Sequence, residues 1–188
     1  MRTSVLKKPV VRVVLVVVAV ALAVGVYWFQ PWKLFVDETV REELPQAVPS
    51  APASADGTTG SGMPSEPAQP RVLATGTFIS HEHATEGKVK IVGLADGSRV
   101  LRIEGLNTSN GPDLRVWLTD APVKEGTAGW RVFDDGAHVS LGKLKGNKGD
   151  QNYNVPADVD LSKYTSVSIW CDRFDVSFGA AELARQAA

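Results

Sequence analysis

The single cysteine, Cys171, is the residue whose chemistry stands out in this chain of 188 residues. It ends a short alternating run in which Val167, Ile169 and Cys171 share one face of a predicted strand. Two polar residues, Asp172 and Arg173, follow, so the thiol is predicted at a strand end beside a bend. Arg173 or a metal would lower its pKa, and Asp172 would raise it. A redox-active thiol and an inert core thiol are both open interpretations.

Two histidines one residue apart, His81 and His83, are the candidate metal ligands. Alternate residues of a strand point to one side, so the two imidazoles could share a cation. Open metal sites normally have three protein ligands, and the sequence cannot place the remaining histidine, His138, beside the pair. A solvated loop in which His83 caps a turn is the simpler interpretation. No metal site is predicted, and His81 and His83 remain weak candidates.

Composition and motifs exclude several classes of protein. The net charge is −1, so the chain lacks the basic face that binds nucleic acid. One Cys cannot form an internal disulfide, nor supply the paired thiolates of a zinc ribbon or an iron–sulfur cluster. The sequence contains no Gly-x-Ser-x-Gly, His-Glu-x-x-His, Walker or Gly-x-Gly-x-x-Gly motif. No cofactor site is recognisable, and a self-contained enzyme is not expected.

An uncharged stretch, residues 13–32, predicts a transmembrane helix. Twenty residues in a helix cover roughly 30 Å, the thickness of the bilayer core. Four basic residues precede the stretch and four acidic ones follow it closely. The positive-inside rule therefore places residues 1–12 in the cytoplasm and everything after Lys33 outside it. The chain is predicted to be a single-pass protein of the cytoplasmic membrane.

A cleaved secretory signal is the alternative, because residues 21–23 have the small-x-small form of a cleavage site. The apolar run continues beyond that site to Phe29, which favours the anchor. In both cases the remainder of the chain is exported.

Two connecting segments are predicted between the membrane and the domain. Within residues 33–44, the spacing of Val36, Val40 and Leu44 indicates a short amphipathic helix. Residues 45–70 hold six of the eleven prolines among small polar residues, which indicates a disordered linker. Such a linker would hold the domain roughly 30 Å from its anchor.

The rest of the chain, 71–188, reads as one all-β domain, an antiparallel β-sandwich of about eight strands. The predicted strands are 76–80, 88–92, 99–104, 114–119, 138–141, 152–155, 166–171 and 174–178. Only residues 179–188 look helical. Alternation places Trp117 and Trp170 on the outer face or rim of the sandwich. Lys143, Lys145 and Lys148 are interpreted as a solvated, positively charged edge.

Four sequence runs resemble the DM-thirteen domain family. They are 110–118 (NGPDLRVWL), 141–156 (LGKLKGNKGDQNYNVP), 164–171 (YTSVSIWC) and 174–181 (FDVSFGAA), and the resemblance covers about 75–183. The resemblance implies an extracytoplasmic β-sandwich that transfers electrons through the Cys after Trp, which here is Cys171. This chain has no haem motif, so that activity would need a separate redox partner protein.

The sequence thus predicts a membrane-anchored extracytoplasmic domain with an electron-transfer role through Cys171. The rival interpretation is a ligand-binding or protein-interaction module of the cell envelope, in which Cys171 is only buried. A metal-binding protein using His81 and His83 is a third interpretation.

Overall fold

The N-terminal helix can cross a membrane. The computed structural model describes residues 9–45 and 69–186. Its first element, α1 (Pro9–Phe29), has 21 residues, a mean hydropathy of 2.7 and no buried residue. A helix suits the bilayer because it pairs its backbone groups internally. Length and composition make α1 a candidate membrane span, and a signal sequence near the N-terminus would share both properties.

The end of α1 is set by its local backbone. Gln30 adopts a left-handed conformation, with φ of 44°, and Pro31 then opens a 3-10 helix, Pro31–Phe35. Proline has no backbone N–H to continue the helical ladder. Compared with the predicted span, 13–32, the helix begins a few residues earlier and also ends a few residues earlier.

The domain is a sandwich of two sheets, which confirms the predicted fold class. One sheet has six strands in the order β1-β8-β5-β4-β2-β11, and the other has five in the order β3-β10-β9-β6-β7. Neighbouring strands are antiparallel except β1 and β8, and the eight predicted strands all overlap observed ones. The strands are β1 (Thr39–Arg41), β2 (Arg71–Thr77), β3 (Ile79–Ser80), β4 (Glu86–Gly93), β5 (Arg99–Asn107), β6 (Leu114–Thr119), β7 (His138–Lys143), β8 (Lys148–Val155), β9 (Ser166–Cys171), β10 (Val176–Glu182) and β11 (Ala184–Arg185).

Alternating apolar residues build the core between the sheets. β4 and β5 contribute from one sheet, and β6 and β9 contribute from the other. Burying one such side chain stabilises the fold by roughly 1.5–3 kcal/mol. The best-buried members are Val89, Ile91, Leu101, Ile103, Val116, Leu118, Val167 and Ile169.

The helix predicted over residues 179–188 is wrong. β10 continues through this region to Glu182, and β11 then pairs with β2. Alanine favours helices, but tertiary packing overrides propensity. A Cβ on Gly179 would lie 2.6 Å from the Thr85 side chain, so only small residues fit where β10 passes. Residues 187 and 188 lie outside the described part of the chain.

The amphipathic helix predicted from Val36, Val40 and Leu44 is also wrong. Apart from the short 3-10 helix, this segment contains β1, which pairs in parallel with the edge of β8. Residues four apart share a face in a strand as well as in a helix, so the spacing alone was ambiguous.

The pairing of β1 changes how the domain is attached. The predicted linker, 45–70, falls mainly on residues 46–68, which lie outside the described residues. β1 precedes that segment yet belongs to the six-stranded sheet. Residues 30–38 therefore join α1 to the sheet, and Phe29 at the end of α1 stacks on Phe174 of the domain, so the predicted separation of about 30 Å is wrong. The predicted domain, 71–188, leaves out this strand.

One buried amide holds the backbone that leads into β1. Asn147 is 1% exposed, and its Oδ1 accepts a hydrogen bond from the Glu38 N–H at 2.7 Å. Its Nδ2 donates to Asp37 Oδ1 and to the Thr108 carbonyl oxygen, each at 2.8 Å. Removing this amide would leave buried polar groups unpaired, which costs about 1–3 kcal/mol for each group.

Two of the three lysines interpreted as a solvated edge, Lys145 and Lys148, pair with acids on either side of β1. Lys148 Nζ lies 2.6 Å from Asp37 Oδ2, and Lys145 Nζ lies 2.7 Å from Glu42 Oε1. These lysines hold the pKa of Asp37 and of Glu42 below its ordinary value. Both pairs are solvent-exposed, so neither is expected to contribute much to the stability of the fold.

Replacing Gly149 with Ala is expected to displace β1 from the sheet. A Cβ at this position would lie 2.0 Å from the Val40 carbonyl oxygen, and the φ of 94° disfavours any L side chain. The amide hydrogens of Glu42 and Lys148 bond across this edge. Hydrogen–deuterium exchange at both amides should become at least roughly tenfold faster than in the parent chain.

The matched control is Gly97→Ala. Gly97 also has a positive φ, 82°, but nothing lies within 4 Å of a Cβ built on it. This variant carries the backbone penalty without the clash, so exchange at Glu42 should stay unchanged. Parental exchange at Glu42 and Lys148 in the Gly149→Ala chain would show that β1 does not depend on this close approach.

Candidate functional site

Cys171 lies where the sequence places it, at the end of a strand, and it is fully buried. It is the last residue of β9 and is 0% exposed. Leu114 of β6 and Val176 of β10 lie opposite it on the neighbouring strands. A turn, residues 172–175, follows, and Asp175 in this turn has a φ of 49°. The side chain of Cys171 belongs to the core between the sheets.

This surrounding favours the neutral thiol. Burial raises the pKa of Cys171 above its ordinary value, and the charge of Asp113 acts in the same direction. Backbone N–H groups, among them that of Arg173, oppose the rise. Asp172, the expected source of a raised pKa, instead pairs with Arg115, with 3.2 Å between Oδ2 and Nε.

The turn after Cys171 contacts the end of α1. Phe29 stacks on Phe174 with 5.8 Å between ring centroids. The guanidinium of Arg173 lies 5.0 Å from the Trp28 ring centroid and donates to the Trp28 carbonyl oxygen. Arg173 is therefore held at the helix end, so its cation is not the activator of the thiol that the sequence suggested. The end of β9 that carries Cys171 therefore lies at the same end of the domain as the contact with α1.

Trp117 and Trp170 lie on the outer face of the five-stranded sheet, but they are not exposed. They are 5% and 1% exposed, because Phe133 and its neighbours in the loop after β6 cover them. Their rings stack at 5.0 Å, and His138 stacks on Trp117 at 4.0 Å. On the other side Phe133 meets Trp170 edge-on at 6.4 Å and His81 at 5.7 Å. These five rings form a continuous aromatic row.

His81 is a buried member of that row rather than a residue of a solvated loop. It is 8% exposed, and burial lowers its pKa, which favours the neutral imidazole. Nε2 lies 3.0 Å from the Lys124 carbonyl oxygen, to which it must donate. Nδ1 then accepts from the Ser177 hydroxyl at 2.9 Å. Both ring nitrogens are thus occupied, and neither is available to a metal in this arrangement.

His83 has different surroundings. Its Nε2 lies 2.5 Å from Glu82 Oε2, and its ring lies 4.0 Å from that of Phe178. His81 and His83 follow β3 in a bend, so the strand geometry assumed from the sequence does not apply. Within residues 9–45 and 69–186, no three His, Cys, Asp or Glu side chains are grouped to hold a metal ion. The two candidate ligands therefore have different partners in the structure.

A cavity of about 560 Å³ lies beside the turn after Cys171. Phe29, Gln30 and Pro31 line it at the end of α1. The domain contributes, among others, Glu82, His83, Trp130, Phe174, Val176 and Phe178. No sequence motif marked this cavity, because it forms only where the end of α1, the bend after β3 and the loop after β6 meet.

The family of the chain follows from its matched region. A family model described as "Electron transfer DM13" matches residues 77–183, which is more than half of the chain. The chain belongs to the electron transfer DM13 family. The matched region contains Cys171 and the aromatic row but excludes α1 and β1. No curated protein and no solved structure matches the chain in the other two comparisons.

Alkylation of Cys171 by iodoacetamide is expected to be at least about tenfold slower in the native chain than in guanidinium chloride at neutral pH. The thiolate reacts, and both the burial and the raised pKa of Cys171 disfavour it. The native rate should rise only above the pKa of an ordinary thiol, roughly 8.5. The same shift lowers folding stability as pH rises above that value, because the unfolded chain loses its proton first.

A chain carrying Cys171→Ala and Ser162→Cys provides the control. Ser162 is exposed, so its replacement thiol should react equally fast before and after unfolding. Equal native and unfolded rates for Cys171 itself would contradict the buried position.

Proposed function

We propose that this chain is a membrane-anchored electron-transfer domain on the extracytoplasmic side, with Cys171 as its redox-active residue. Membership of the electron transfer DM13 family carries the proposal, since the matched region contains Cys171. The position of Cys171 adds support, because the turn that follows it contacts α1. An electron carrier in or near the membrane would therefore meet the end of the domain that holds the thiol.

A separate redox protein is part of this proposal. A single thiol cannot cycle as a dithiol pair, so it must form a mixed disulfide with a partner or bind a partner's metal. In the first case the Cys171 thiolate attacks a partner disulfide, one S–S bond forms, and the partner's second sulfur leaves as a thiolate. Phe174 packs against the core cluster that contains Cys171, so the turn 172–175 must move before a partner reaches the thiol.

One observation favours a different function. Cys171 is 0% exposed and its pKa is raised, as expected for an inert core thiol. In that case the domain is a ligand-binding or protein-interaction module of the cell envelope. The cavity beside α1 would then be the feature that matters, and Cys171 would only fill space.

Replacing Cys171 with Ala separates the two functions. On intact spheroplasts, electron delivery to ferricyanide, which does not cross membranes, should fall to the level of cells lacking the protein. Val167→Ala is the control, because Val167 lies on the same face of β9, is equally buried and carries no thiol. It should lose stability but keep activity. Full activity of folded Cys171→Ala protein would end the redox proposal for this residue.

Alkaline phosphatase fused after Ala188 tests the proposed topology. The enzyme folds only outside the cytoplasm, so the fusion should be active and membrane-bound, with residues 1–23 retained. The basic residues before α1 should set this orientation. Changing Lys7, Lys8 and Arg12 to Glu should reduce the activity. A soluble fusion cut after Ala23 would contradict the anchor, and an inactive membrane-bound one would contradict the orientation.

A further inference from the structure

We propose that the cavity beside α1 binds the headgroup of a membrane quinone. The choice of a redox-active lipid rests on the proposed electron-transfer function. The binding site itself rests on the position, lining and polar groups of the cavity. Its volume, about 560 Å³, falls within the range of small-molecule sites in proteins.

The position of the cavity connects it to the bilayer. Phe29, Gln30 and Pro31 line its wall, and they mark the end of the one described helix that can span a membrane. The end of a spanning helix lies at the level of the lipid headgroups. A ligand with an apolar tail can therefore place its headgroup in the cavity while the tail runs beside α1 in the bilayer.

The polar groups suit a ligand that accepts hydrogen bonds. The Trp130 indole Nε1 is buried and has no hydrogen-bond partner among the described residues. A buried N–H without an acceptor is costly, so the Trp130 indole would gain a hydrogen bond if its ring turned and donated to a carbonyl oxygen of a ligand in the cavity that it lines. The Glu82–His83 pair also lines the cavity, with 2.5 Å between Glu82 Oε2 and His83 Nε2.

The aromatic side chains among the lining residues favour an aromatic headgroup. Phe29 and Phe174 offer ring surfaces to a planar ligand, and aromatic pairs favour stacked or edge-on contacts. An acyl chain would fill the apolar space but offers no acceptor to Trp130. A quinone supplies a planar ring, two carbonyl acceptors and a hydrocarbon tail.

The cavity also lies next to the proposed redox residue. Val176 lines the cavity and pairs with Cys171 across the ladder between β10 and β9. Paired residues on antiparallel strands have Cα atoms about 4.5–5.5 Å apart. Val176 would therefore lie between a bound headgroup and the residue that carries the thiol.

The test is a titration of the full chain in quinone-free phospholipid nanodiscs. Decylubiquinone and a menaquinone with one isoprenoid unit are the probes, and decylbenzene, which has a tail and a ring but no carbonyl, is the comparison. Saturable binding of at least one quinone, with no saturable binding of decylbenzene, is expected. Comparable binding of decylbenzene would assign the cavity to an apolar chain and overturn the proposal, and so would the absence of saturable quinone binding.

A pair of Trp variants locates the site. Trp130→Phe keeps an aromatic ring but removes the N–H, and quinone affinity should fall roughly fivefold to tenfold, the effect of one hydrogen bond. Trp117→Phe is the control, because Trp117 Nε1 is also buried and unpartnered but belongs to the aromatic row. Unchanged affinity in Trp130→Phe, or equal losses in both variants, would overturn the assignment.

The titration measures quinone binding without an electron donor. If no binding is found, the test of Cys171 by electron delivery is unaffected. Conversely, quinone binding that persists in an active Cys171→Ala chain would retain the site and reject the redox role of the thiol.

Discussion

The close approach of β1 to β8 determines how this domain is joined to α1. A Cβ on Gly146 would lie 2.4 Å from the Glu38 carbonyl oxygen, and one on Gly149 would meet that of Val40. These two glycines therefore leave room for β1. Asn147, which lies between them, forms hydrogen bonds with the backbone of Glu38 and Thr108. Because β1 precedes residues 46–68, the nine residues from 30 to 38 join α1 to the sandwich, and the domain cannot move away on a longer connection.

That attachment places three features at one end of the sandwich. The turn after Cys171 contacts the last residues of α1, and the cavity lies between the same helix end and the domain. Phe174 takes part in both, because it stacks on Phe29 and also packs against the core cluster of Cys171. Movement that uncovers the thiol must therefore disturb a contact with the anchor. Accessibility of the thiol and docking of α1 are linked through one aromatic side chain.

The sequence predicted the sandwich well because apolar residues recur at every second position of its strands. β6 and β9 are examples, and both strands are strongly buried. It predicted the strand end at Cys171 from the polar break after it. It failed where one spacing fits two structures, as in β1, and where close packing overrides propensity, as at Gly179. It placed Trp170 on the correct face but missed the covering loop, and it missed the cavity, since both depend on contacts between segments distant in sequence.

Burial of Cys171 constrains any redox chemistry of its thiol. Disulfide exchange requires a thiolate that a partner can touch, and burial disfavours both the thiolate and the contact. Val176, which pairs with Cys171 across the β9–β10 ladder, also lines the cavity, so the thiol and the cavity are neighbours in the fold. An apolar surrounding also protects an unpaired thiol from exchange with other disulfides in an oxidising compartment. Disulfide exchange at Cys171 therefore requires the turn 172–175 to move first, and that turn includes Phe174, which packs against the core cluster of Cys171 and also lines the cavity.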